Sequence, residues 1–553
     1  MSRASLLWCL ALGAVLALLT SMPFLYAYER QGTDLRFTGS LLAVEDGNSY
    51  IAKMRAGAQG EWLFRSPYAA VPQAGIPAFL FYILLGKLAQ GPGMHVQLVA
   101  LLHVARVLAI FLVVLATYRF AARFVAEERW RRWATVVSVA GGGLGWLVLA
   151  AGRTAWLGSQ PLELYSPETF GFLAMLTFPH LLLARALLLL GLDAYLDAGR
   201  VPWAGARASL SLSLLVLTQP LSLAAAGAAI GIHQLLGIAR RLLRHEGRPV
   251  EWRLVRPALV VLALPAALAA GYGLLLRTDP FVRTWAEQNI LISPHPFHYV
   301  LAYGLLLPAA VLAAWRAPSD QPEDRLMLLG WVAALPLLAY APLVIQRRLP
   351  EGGWVALAVL AALGLSQAVG SPNRRWRLAL GVAGVSLISS VLLLAGAFLA
   401  ATSGASPAFR NAEEVAAFEW LDAQAAHQAV MLAAYSTGNA LPAWTDARVL
   451  IGHGPESAGL ITMRPRVEAF YRESGATSEA AGLLAQFGVE YVFVGPAERA
   501  LGFSAEVAPG TLNPVYTQGT YMIYRVEAAP SATSEAQRTL GTLAQPSIVG
   551  EGG

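Results

Sequence analysis

Residues 6–27 read LLWCLALGAVLALLTSMPFLYA, with Arg3 just ahead of them. As a helix, a run of this length covers the roughly 30 Å hydrocarbon core of a bilayer. No small-x-small cleavage site follows, so the run is expected to be an uncleaved signal anchor with a cytoplasmic N-terminus. Similar runs recur through the 553 residues, of which 56% are hydrophobic and 13% charged. Soluble domains carry about a quarter charged residues, so lipid is the main solvent. Cys9 is the one cysteine, which excludes an internal disulfide and a cysteine metal cluster.

The arginines set the topology. They crowd residues 119–132, 240–256 and 374–377, with smaller groups around Arg200 and Arg207 and around Arg316 and Arg325. Retention of cytoplasmic loops accounts for this basic excess better than nucleic acid does. With all of them inside, about eleven transmembrane helices follow: residues 6–27, 95–120, 133–151, 172–195, 207–219, 220–237, 255–276, 297–315, 326–345, 353–370 and 378–400. The fifth and sixth form a hairpin turning outside at Thr218-Gln219-Pro220. The apolar stretch 76–89 is short for a span and is predicted to lie as a helix in the outer interface, with Pro77 near its start. The outer face then carries the loops 28–94, 152–171 and 277–296 of a transmembrane unit 1–401, and everything beyond it.

The composition changes near residue 402. Asn411 caps a predicted helix whose first turn holds Glu413 and Glu414. Residues 429–435, 448–451 and 491–495 are expected to be buried strands, with helices at 464–473 and 477–487. Residues 514–517 and 521–526 form a hairpin around Gly519. Residues 402–530 are thus expected to be an extracytoplasmic α/β domain, and 531–553 a disordered tail. The run Gly452-His453-Gly454 matches no phosphate-loop spacing.

The first outer loop holds Glu45-Asp46-Gly47-Asn48-Ser49-Tyr50-Ile51-Ala52-Lys53-Met54-Arg55. Two adjacent carboxylates stand before a helix on which Tyr50, Lys53 and Met54 share a face. On residue type alone, Glu45 and Asp46 also fit a solvated helix N-terminus favoured by its dipole. The order is a first span, an acidic pair, a tyrosine, then Gly57, Gly60 and Trp62, a proline-led interfacial helix, and a span containing an arginine, Arg106. That order resembles the GT-C superfamily of membrane glycosyltransferases, including family 39 protein O-mannosyltransferases and the lipid A aminoarabinose transferases. The likeness covers about residues 1–240, with the acidic pair reversed and single prolines, Pro72 and Pro77.

The resemblance implies transfer of a sugar from a polyprenyl-phosphate-linked donor to a lipid, glycan or protein acceptor on the extracytoplasmic face. Asp46, with Glu45 as alternate, is then the catalytic carboxylate, which removes the acceptor's proton or sits beside a divalent metal ion. Glu168 offers a second acid, or a plain helix cap. Cations must meet the charge growing on the lipid phosphate. Arg347 and Arg348 are the first candidates, because they stand outside against the positive-inside bias. Lys53 and His180 follow, although a histidine in a span also fits a satisfied structural role. Arg283, His295 and His298 are weaker. A multi-pass transporter or a non-catalytic assembly protein of the same fold stand as alternatives.

Overall fold

The structure is a computed structural model that describes residues 1–245, 252–316, 323–504 and 512–527. The expected tail, 531–553, lies outside the described residues. Among them, seven helices are long and apolar enough to cross a membrane: Arg3–Glu29, Met94–Phe124, Pro179–Leu196, Ser222–Arg244, Val255–Thr278, Gln346–Ser366 and Pro372–Ser403. Pro296–Gly304 and Leu307–Trp315 make an eighth if their 73° bend is taken within one span. Each remaining expected span falls on helix as well, in shorter or interrupted form.

Each interruption has an identifiable cause. The stretch 133–151 divides into Glu128–Ala140 and Trp146–Ala150. At the break, a Cβ on Gly143 would lie 2.2 Å from the Ala302 carbonyl oxygen, so only glycine permits this contact. Gly142 N–H and Leu144 N–H then donate to Ser386 and Leu301 carbonyls, which satisfies backbone that leaves the helix. The stretch 172–195 divides into Gly171–Thr177 and Pro179–Leu196. Proline disfavours helical backbone in the residue before it, here Phe178.

The interfacial helix is shorter than predicted. Only Leu80–Gly86 is helical, and it starts at Phe79 with φ of 54°. It packs on Val44–Ala58 backbone to backbone. A Cβ on Gly57 would lie 2.0 Å from the Ile83 carbonyl oxygen, and one on Gly86 would lie 1.8 Å from that of Met54. Two glycines facing each other in this way allow the helices to touch without side chains between them.

The helix Met94–Phe124 relates the two ends of the bundle. Near its start, His95 Nδ1 is 3.0 Å from the Ala443 carbonyl oxygen in the C-terminal region. Near its end, Arg119 pairs with Asp193 at 2.7 Å, and Arg123 pairs with Asp197 at 2.9 Å and with Asp324 at 2.8 Å. Arg241 joins the same end through Glu323. Arg119, Arg123, Arg200 and Arg241, from three of the arginine groups placed inside on sequence grounds, therefore gather at one pole of the bundle. Arg106, midway, is buried and donates to Thr20 Oγ1, Ser21 Oγ and the Met175 carbonyl, which ties three helical segments together.

The C-terminal region forms a five-stranded sheet in the order Arg448–Val449, Val430–Leu432, Tyr491–Val494, Tyr521–Val526, Leu512–Gln518. The first three strands are parallel, and the last two add an antiparallel hairpin. Helices Ala412–Gln424, Leu460–Arg472 and Ser478–Phe487 accompany them. Asn411 caps the first as predicted, accepting from Glu413 N–H at 2.8 Å. Sequence did not reveal a second, two-stranded sheet: Leu35–Phe37 pairs antiparallel with Phe409–Asn411 and sews the first loop to the C-terminal region.

Candidate active site

Glu45 and Asp46 lie in the first turn of Val44–Ala58. That helix is wedged between Leu80–Gly86 and the helix Tyr435–Trp444 of the C-terminal region. Asn48 Nδ2 donates to Asn439 Oδ1 at 2.8 Å, and Tyr68 Oη donates to the Asn439 carbonyl, so the joint is bonded on both sides.

The two acids face different partners. Glu45 Oε1 accepts from Tyr435 Oη at 2.6 Å and from Gly454 N–H at 2.9 Å, which commits it to the joint. Asp46 keeps 47% of its side chain exposed. Its Oδ1 lies 3.2 Å from His453 Nε2, while Oδ2 accepts no hydrogen bond among the described residues. Burial acts to raise the Asp46 pKa, but the hydrogen bond and charge of His453, with Arg348 and Lys53, hold it below the ordinary carboxylate value.

Behind this pair is a buried group of charges. Lys53 Nζ is 2.7 Å from Glu456 Oε1, with the lysine side chain fully buried and the glutamate 4% exposed. Ser49 Oγ donates to the same carboxylate at 2.9 Å and accepts from Lys53. His453 Nδ1 stands 3.7 Å from Glu456 Oε1. Burial favours the neutral forms, yet Lys53 and His453 hold the Glu456 carboxyl below its usual range. Lys53 is pushed down by burial against the pull of Glu456. Lys53, expected at the donor phosphate, is turned to Glu456 instead. Its charge is already matched, and the ring of Phe79 covers it at 4.2 Å.

His180 is also placed differently from expectation. It lies at the start of Pro179–Leu196, and its Nδ1 is 2.6 Å from Tyr82 Oη. Tyr82 stacks on Tyr50 at 4.2 Å, and Tyr50 meets Phe178 edge-on at 5.6 Å. His180 belongs to an aromatic wall beside Asp46 rather than to a cationic phosphate site. Glu168 is no helix cap, since Phe170 holds that position before Gly171–Thr177. Its Oε1 lies 2.9 Å from Arg348 Nε, so it is a counterion and not a free base. Arg347 lies 4.5 Å from the ring centre of Tyr165. Arg283 is exposed, His295 caps the helix Pro296–Gly304, and His298 bonds the Trp156 carbonyl.

Sequence reading missed several members of this site. Arg185, inside an expected span, pairs with Glu351 at 3.2 Å and donates to the Pro167 and Glu168 carbonyls, which aligns the loops that carry Glu168 and Arg348. A charged residue in an apolar span was the available signal. His453 and Glu456 carried none beyond two flanking glycines. A Cβ on Gly452 would lie 2.4 Å from the Gly438 carbonyl carbon, so glycine is needed for the loop to come this close. Among the described residues, no three His, Cys, Asp or Glu side chains converge to hold a metal ion. His453 stands between Asp46 and Glu456 and keeps their carboxylates from a common point.

No family model matches the chain, and no curated protein matches it. Solved structures do. The apo oligosaccharyltransferase of Archaeoglobus fulgidus aligns with a TM-score of 0.55 at 14% identity, over 92% of this chain and 73% of that one. ArnT from Cupriavidus metallidurans bound to undecaprenyl phosphate aligns with a TM-score of 0.52 at 14% identity, over 96% and 99% of the two chains. AglB from Archaeoglobus fulgidus, in complex with an inhibitory peptide and a dolichol-phosphate, gives 0.52 at 14% identity, over 89% and 70%. Helical membrane unit and α/β region together, the chain has the GT-C fold.

Proposed function

We propose that this protein is a membrane glycosyltransferase that moves a sugar from a polyprenyl-phosphate-type donor to an acceptor on the extracytoplasmic face, with Asp46 as general base. The observation that supports it is the asymmetry of Asp46. One carboxylate oxygen is held by His453, and the other is open at the junction of the membrane unit and the C-terminal region. An ionised carboxylate is acceptor-only and can take a proton on the open oxygen. In the transfer step, the acceptor heteroatom loses its proton to Asp46 and bonds the anomeric carbon. The bond from that carbon to the phosphate oxygen breaks, and the lipid phosphate leaves with the electron pair. Arg348 and Arg347 are the cations best placed to meet its charge, since Arg348 acts electrostatically on Asp46 and both guanidiniums are partly exposed. ArnT, which shares the fold, was solved with undecaprenyl phosphate, and AglB with a dolichol-phosphate, which favours a lipid donor of that kind.

The test is turnover of radiolabelled polyprenyl-phosphate sugars by purified protein. Loss of a general base costs a factor of about 10² to 10⁴. Asp46→Asn is expected to show that loss with the donor still bound, and Glu45→Gln to show far less. Wild-type rates in Asp46→Asn would remove the assignment.

A further inference from the structure

The candidate base is contributed by the first loop, but what holds it comes from a segment 407 residues away. The loop 450–459 follows the strand Arg448–Val449 and folds over the start of Val44–Ala58. It is fastened from several sides. Ser457 Oγ accepts from the N–H groups of Gly452 and His453 at 3.0 and 3.1 Å, which fixes the turn that carries the imidazole. Ser66 Oγ donates to the Glu456 carbonyl at 3.1 Å. Gln288, at the end of the helix Pro280–Gln288, donates to the Pro455 and Ser457 carbonyls at 3.0 and 2.8 Å and accepts from Leu460 N–H at 3.1 Å.

The backbone that carries the imidazole is therefore fixed, and burial of the ring restricts its rotamers. The imidazole is 7% exposed, lies 5.5 Å from the Tyr68 ring, and has one hydrogen-bond partner among the described residues, Asp46. Because an ionised carboxylate cannot donate, His453 Nε2 carries the proton of this bond. The other side of the ring faces Glu456. That carboxylate returns to the Asp46 helix through Ser49 and Lys53, about one and two turns further along. Asp46, His453, Glu456, Ser49 and Lys53 form a circuit that leaves one helix, crosses the loop and re-enters the same helix.

We infer that His453 is the positioning residue for Asp46, so that the C-terminal region supplies half of the acid–base centre. The inference rests on the reading of Asp46 as the base. The ring N–H fixes Asp46 Oδ1 and so sets the direction of Oδ2. A free aspartate on the first turn of a helix would sample several χ1 and χ2 states and place that oxygen correctly only part of the time. Displacement of a reacting group by about 1 Å can cost 10²-fold in rate.

The experiment uses full-length protein in detergent with a polyprenyl-phosphate sugar donor, and compares wild type, His453→Leu, His453→Gln and Asp46→Asn. Leucine fills the space without an N–H, whereas glutamine keeps a donor. His453→Leu is expected to lower kcat by about 10²-fold with the donor KM nearly unchanged, and His453→Gln to recover at least a tenth of wild-type kcat. If His453→Leu does not fold, the Gln variant decides alone. Its acid limb of kcat/KM moves to higher pH, because the charge that stabilises the Asp46 carboxylate is gone. Equal losses in Leu and Gln, wild-type kcat in both, or an unmoved acid limb would overturn the inference. Should both His453 variants keep full turnover while Asp46→Asn loses it, the base assignment stands and only the positioning role fails. Should Asp46→Asn also keep it, the base assignment itself fails.

Discussion

Lys53 Nζ and Glu456 Oε1 are 2.7 Å apart, with the lysine side chain out of contact with solvent and the glutamate nearly so. One belongs to the first-loop helix and the other to the C-terminal region, 403 positions later in the chain. Removing one partner leaves an uncompensated buried charge, at about 3–5 kcal/mol. Removing both and filling the space with apolar groups costs much less. Lys53→Met is therefore expected to lower the melting temperature in detergent more than the double variant Lys53→Met/Glu456→Leu. The opposite order would mean that the pair does not hold the two regions together.

The same group of charges makes stability depend on pH. Burial disfavours the His453 imidazolium, but Glu456 and Asp46 outweigh burial and raise its pKa above the ordinary value, against an opposing push from Lys53. A raised pKa in the folded state stabilises fully below the unfolded value, ~6.5, and the contribution fades as pH climbs through the raised one. Asp46 and Glu456 are lowered, so their contribution is present above ~4 and is lost on acidification through the lowered values. The melting temperature should fall as pH rises from about 6.5, and His453→Gln should flatten that slope. Parallel slopes in the two proteins would assign the pH dependence to other groups.

Arg348 meets Glu168 in the resting protein, and Arg347 lies over Tyr165. On the proposed function, a lipid phosphate that enters competes with Glu168 for the guanidinium. Glu168→Gln is expected to tighten binding of polyprenyl phosphate measured in detergent. Arg348→Lys is expected to weaken it by about 1.5–3 kcal/mol, the worth of a hydrogen bond to a charged group. Arginine offers two donors in a fixed fork, and lysine does not. Unchanged affinity in both Arg347→Lys and Arg348→Lys would move the phosphate to the segment 277–296.

Orientation is open to direct measurement. Reporter fusions after Trp130 and after Ser403 should report opposite sides of the membrane, with the second one outside. The ends of Met94–Phe124 differ in the same sense, His95 touching the C-terminal region and Arg123 joining Asp193, Asp197 and Asp324. Both reporters on one side would reject the topology.

What the sequence determined alone lies close together in the chain. The run 6–27 and its successors mark the lipid solvent, because a span is a continuous stretch and composition registers it. The strands near Val430, Val449 and Val492 and the Asn411 cap were equally legible, as was the acidic pair on a helix in the first outer loop. Tertiary structure decided the rest. It broke the expected span 133–151 where Gly143 meets the Ala302 carbonyl, while the break at Phe178-Pro179 is a local effect of the proline. It committed Glu45 to Tyr435 and left an oxygen of Asp46 open. It withdrew Lys53 and Glu168 into ion pairs with Glu456 and Arg348, and it brought His453 to Asp46. The reason is physical. Which of two adjacent carboxylates is free depends on the donors that reach them, and these come from a loop hundreds of residues away whose approach depends on the Gly438–Gly452 contact. Local periodicity carries no information about such partners, because the energy that selects them exists only once the first loop and the C-terminal region are packed together.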